Sequence, residues 1–133
     1  MKKFNLLKTT FIIISFIFIG QSGYSQEEKL DLQELVGLWK LDMSPENKSD
    51  SNFAMMEITK IESNLVEGSF YREGVSIREG RTNTQLGRIY IALVSGDNSG
   101  EYNSSFYLEN GKIYGTTHSI DRDFLAVWIG EKN

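Results

Sequence analysis

Glu79, Arg81 and Asn83 stand at i, i+2 and i+4 of a stretch that reads as extended chain. In a strand that spacing puts all three on one face. A carboxylate, a guanidinium and a carboxamide side by side can hold a polar ligand by charge-assisted hydrogen bonds. Val75 and Ile77 share their parity, so the strand is expected to run from a packed end to a polar mouth. Facing outward, the same residues would form an ordinary solvated strand. A second group lies in residues 116–123, where His118 shares parity with Tyr114 and Thr116, and Arg122 follows between Asp121 and Asp123. A histidine at a barrel rim near an arginine and carboxylates can serve as a general base or an anion clamp. One hydrogen-bonded to turn backbone is the structural alternative. With Ser119, His118, Asp121 and Asp123 the stretch holds the residue types of a nucleophilic triad, but adjacency in one loop gives poor triad geometry.

Aromatic side chains recur along the chain, among them Trp39, Phe70, Tyr71, Tyr90, Tyr102, Phe106, Tyr114, Phe124 and Trp128. Lining a cavity, they would suit a flat or amphipathic molecule, with Tyr90 and Trp128 as candidate contacts. The same rings can equally fill a small barrel. With no cysteine and one histidine, the chain has no means for a disulfide scaffold, a thiolate zinc site or a His-rich metal centre. The oxygen-rich run Asp97-Asn98-Ser99-Gly100 lacks the twelve-residue register of a calcium loop. No P-loop or dinucleotide glycine fingerprint is present, so neither metal nor cofactor is expected. An excess of 18 Asp+Glu over 14 Lys+Arg argues against nucleic acid or an anionic membrane as partner.

These residues must be positioned by a single domain, since the length allows no more. Residues 1–25 differ from the remainder. Lys2, Lys3 and Lys8 precede an apolar core from Phe11 to Ile19, and a small, polar stretch ends at Ser25. The pattern predicts a cleaved secretory signal resembling a bacterial leader, too short to span a membrane. The mature chain is expected to be soluble, secreted or periplasmic, without membrane insertion. Residues 26–36 read as an N-terminal segment with a short helical turn, and 37–133 as the folded domain.

From Gly37 the apolar period changes to two. Strands are expected at 37–43, 53–62, 65–71, 75–82, 88–95, 101–109, 112–119 and 124–132. Asn110-Gly111 is the strongest hairpin signal, because a type I′ turn needs positive φ at both central positions. Connections are too short for parallel crossovers. The fold class is therefore all-β: an eight-stranded antiparallel up-and-down meander barrel, a closure that removes exposed edges. Two runs, 89–94 and 124–129, are apolar on both faces. Either the N-terminal turn or a second subunit covers them, leaving monomer and weak homodimer both open.

Gly37-Leu38-Trp39 at the first strand resembles the G-x-W signature of the calycins, the group of lipocalins, fatty-acid-binding proteins and avidins. The resemblance implies a barrel with the tryptophan packed across its closed end and a basic residue from the last strands nearby. The lipocalin disulfide is impossible here, and avidin's biotin contacts have no one-to-one counterparts. The expected function is binding of a small, partly apolar ligand at the open end, with Glu79, Arg81, Asn83, Tyr90, His118, Arg122 and Trp128, read from the residues themselves, as contacts. Two alternatives remain: an isomerase- or hydrolase-type enzyme using His118 with Glu79 or Asp123, and a protein-interaction or inhibitor module.

Overall fold

The computed structural model describes residues 29–72 and 74–133; the expected signal segment 1–25 lies outside them. A single turn of 3-10 helix, Leu32–Leu35, is capped by the Asp31 carboxylate, which accepts from the Gln33 amide. Eight strands follow: β1 Gly37–Asp42, β2 Phe53–Glu62, β3 Leu65–Tyr71, β4 Ile77–Asn83, β5 Tyr90–Asp97, β6 Gly100–Glu109, β7 Lys112–Ser119 and β8 Phe124–Lys132. Each pairs antiparallel with its sequence neighbour, and β1 pairs with β8 to close the barrel in the expected meander order. Asn110 and Gly111 adopt φ of 51° and 74°, as the β6–β7 hairpin turn requires. No helix of the described residues is long and apolar enough to cross a membrane.

The 3-10 turn closes one end. Leu35 is fully buried, and its carbonyl accepts from the Trp39 indole Nε1 at 2.8 Å. Lys132, from the last strand, sets its ammonium 5.4 Å from the Trp39 ring centroid. The chain thus forms a small closed barrel, with Trp39 and a basic residue from the last strand together at this end, as expected. Gly37 holds φ at 140°, a conformation that L side chains rarely adopt, and a Cβ there would lie 2.8 Å from Lys132 Cε.

The seams are unequal. Between β3 and β4 the described ladder comprises Leu65↔Arg81 and an isolated Ser69↔Ser76 bridge, whereas β5, β6, β7 and β8 pair along most of their lengths. Inside, Trp39, Met56, Phe70, Phe106, Ile113 and Trp128 form a continuous buried core. Each such side chain contributes roughly 1.5–3 kcal/mol through removal from water.

Candidate functional site

The lumen is filled by the protein's own rings. Trp128 lies 5.4 Å from Phe106 and 6.1 Å from Phe70 between centroids. Gly115 leaves room for that indole: a Cβ there would stand 2.7 Å from its Cη2 atom. The Trp128 Nε1 donates to Thr117 Oγ1 at 2.9 Å, and Ser104 Oγ shares a 2.8 Å hydrogen bond with the same hydroxyl. Trp128 is therefore a core residue rather than a wall of open space.

Most of the polar residues singled out from the sequence face away from this interior. Ile77 packs against the core, but a register shift between Ile77 and Glu79 reverses the parity of β4. Gly80 and Thr82 consequently face in, and Glu79, Arg81 and Asn83 face out. The expected polar mouth at these three is corrected by that bulge, which no alternation pattern reveals. Glu79 and Arg81 satisfy each other through a bidentate pair at 2.9 and 3.1 Å, while Asn83 Oδ1 accepts from the Gln85 amide at 3.0 Å.

Tyr90 and His118 are outward as well. Glu79, Val94, Asn103 and His118 occupy successive positions of one outer row. With strands about 4.8 Å apart, Glu79 and His118 are separated by roughly 14 Å. Asp123 sits in the exposed β7–β8 turn at φ 50°, outside the ladder that carries His118. The geometry brings His118 and Glu79 into no shared concave site, and the catalytic pairing falls with it.

Arg122 sits in the β7–β8 turn, at the barrel's other end. Its Nη1 donates to the Tyr102 hydroxyl at 2.9 Å, and its guanidinium lies 5.7 Å from the Phe124 centroid. Tyr102 stacks on Tyr71 at 5.2 Å with 12° between planes, and lies 6.2 Å from Phe124. Its hydroxyl also shares a 3.2 Å hydrogen bond with Ser99 Oγ. The Tyr102 bond, foremost, raises the Arg122 pKa further above its ordinary value. Beside this cluster, the Ser99 hydroxyl and amide hold the Asp97 carboxyl below its usual range, with lesser help from the Arg72 guanidinium paired to it.

Flanking Tyr102 in the ladder are two serines: Ser95, which the sequence did not mark, and Ser119, which it marked only as a triad residue type. Ser95 and Ser119 are fully buried, and neither hydroxyl has a hydrogen-bond partner. Ser95 pairs across the ladder with Tyr102, and Ser119 lies one position beyond the Asn103↔His118 pair, on the other side of the same tyrosine. The signal was present as a run of small hydroxyl residues at inward parity: Ser95, Ser104, Thr117 and Ser119.

No protein-family model matches the chain, and no curated protein does. Among solved structures, the fluorescent protein UnaG is similar at 14% identity and a TM-score of 0.39, covering 77% of this chain and 100% of that one. Apo lipid binding protein 8 of Caenorhabditis elegans is similar at 18% identity and a TM-score of 0.40, covering 79% and 99%. Likeness at this level carries no function across.

Proposed function

We propose that the protein is a secreted barrel that binds a small, flat, partly apolar molecule beneath the cover formed by Tyr71, Tyr102, Phe124 and Arg122. The observation that carries this reading is the pair of partnerless buried hydroxyls on either side of Tyr102. A buried hydroxyl left unpaired costs on the order of 1–3 kcal/mol, so two in one ring of the wall call for an explanation. Rotation of Tyr102 away from Arg122 and Ser99 vacates the space between Ser95 and Ser119. A ligand ring then replaces the tyrosine against Tyr71, and the ligand's polar edge meets the two hydroxyls. Arg122, released from the phenol, faces any anionic group at the rim. The leader-like composition of residues 1–25 supports export.

The test is a panel of aromatic acids, flavonoid-like compounds, dyes and fatty acids, read by thermal shift and tryptophan fluorescence. At least one flat compound is expected to stabilise the protein, and Ser95→Ala with Ser119→Ala is expected to abolish that shift while the barrel still melts cooperatively. If no compound shifts melting or fluorescence, or if the double variant responds as the parent does, the reading fails.

A further inference from the structure

On the outside of the barrel, strands β5–β8 carry Tyr90, Tyr107 and Tyr114 in one cross-strand row, ending at Ile129 on β8. The next row ends at Val127 and the third at Leu125. Val127 is 62% and Leu125 66% exposed. The tyrosines contact one another, Tyr107 stacking on Tyr114 at 5.5 Å and lying 6.2 Å from Tyr90. From β5 to β8 these three rows hold no lysine, arginine or carboxylate. Charge begins at their margin, where it is already paired within the chain: Arg81 with Glu79, Arg88 with Glu109 and Lys112 with Glu131.

We infer that this wall is a self-association surface, and that its occupant is a second copy of the chain. Each of β5–β8 is paired on both sides, so strand addition there is unavailable and only the face can be covered. A chain with a formal net charge of −4 repels its own copies except where uncharged surfaces meet. A foreign partner selected by charge would find no unpaired charge on these rows to recognise. A tyrosine-rich, charge-free centre inside a charged rim is the composition of an interface core. Four strands about 4.8 Å apart and three rows about 6.8 Å apart give roughly 400 Å² per copy. That buries about 800 Å² in total, at the low end for specific association. The dimer is accordingly weak and reversible, with a dissociation constant in the micromolar range or above.

Sedimentation velocity on protein recovered after expression of the full chain, from about 5 to about 500 μM, tests this. The weight-average sedimentation coefficient is expected to rise toward the dimer value across that range and to persist in high salt, because the contact holds no lysine, arginine or carboxylate. Val127→Lys should hold the protein at the monomer value throughout, with unchanged melting temperature. Thr59→Lys, on the outer face of β2, should leave association as it is. A monomer at every concentration overturns the inference, and leaves the wall to another occupant. So does a dimer that Val127→Lys fails to weaken, or one that dissolves in salt.

Discussion

Lys132 lies across the face of Trp39, its Nζ 5.4 Å from the ring centroid, and donates to the Glu34 carbonyl at 2.8 Å. The last strand is thereby tied to the first, and both to the 3-10 turn that closes this end. Trp39 Nε1 completes the tie through the buried Leu35 carbonyl. Replacing Trp39 by Phe keeps an aromatic ring but leaves that carbonyl without its partner. The expected loss is about 1–3 kcal/mol in urea unfolding. Lys132→Met retains the stem and removes the cation, with an expected loss of about 1 kcal/mol or less. An equal loss in the two variants would show that the indole hydrogen bond has no special weight.

Gly115 is a test of how full the lumen is. A Cβ there would stand 2.5 Å from Phe106 Cβ, its paired neighbour on β6, as well as against the Trp128 indole. Gly115→Ala is expected to destabilise by about 1–3 kcal/mol through overpacking. The emission of Trp128 should shift as the indole is displaced. A variant that melts with the parent would mean that the interior has room to spare.

The barrel was legible in the chain because its signals are local. Alternation places Trp39 and Leu41 on one face and Lys40 on the other, and Asn110-Gly111 announces its own turn. Facing on β4 was not legible. Val75 and Ile77 set a parity that the shift before Glu79 cancels, and a bulge depends on hydrogen bonding to the neighbouring strands rather than on residue type. Arg122 was expected at a rim from its loop position, yet its partner Tyr102 is 20 residues away in sequence. Ser95 drew no notice because a serine in a strand reads as outward, and Ser119 was weighed only as a triad residue type beside His118. Only the closed ladder brings the two to either side of one tyrosine.

Those two serines make an unusual stability prediction. Ser95→Ala and Ser119→Ala remove buried hydroxyls that have no partner. In the unliganded protein each is expected to be neutral or stabilising, by up to about 1 kcal/mol, because the desolvation penalty goes with the hydroxyl. In a domain of this size that is a rise of a few degrees, about 4–8 °C at most. A loss of more than about 1 kcal/mol in either variant would mean the hydroxyl is bonded in solution, and would remove the support for a site beneath Tyr102.

Hydrogen exchange should single out the β3–β4 seam. Thr82 N donates to Asn64 O and Phe70 N to Val75 O, but the described ladder between them is sparse. Amides of β4 that point toward β3 are expected to exchange through local opening well before those of β6 and β7. Uniform protection around the barrel would contradict this.

The final prediction concerns acid. The Asp97 carboxyl is held below its ordinary value of 3.8 chiefly by the Ser99 hydroxyl and amide, with the Arg72 guanidinium as a lesser cause. A carboxyl whose pKa is depressed on folding contributes stability that is present above its unfolded pKa and is lost as pH falls through the folded one. The cover around Tyr102 is linked to this carboxylate through Ser99, so it should loosen over the same interval. Glu62 beside Lys60 and Glu131 beside Lys112 are also lowered, and they titrate in the same direction from solvated positions worth little each. The difference between parent and Asp97→Asn isolates the Asp97 part. Melting temperature measured from about pH 6 down to about pH 2 should fall more steeply below pH 4 in the parent than in the variant. The near-ultraviolet signal of the stacked Tyr71 and Tyr102 should be lost earlier than the far-ultraviolet signal of the barrel. Superimposable curves for the two proteins would show that the Asp97–Ser99 contact does not hold the cover.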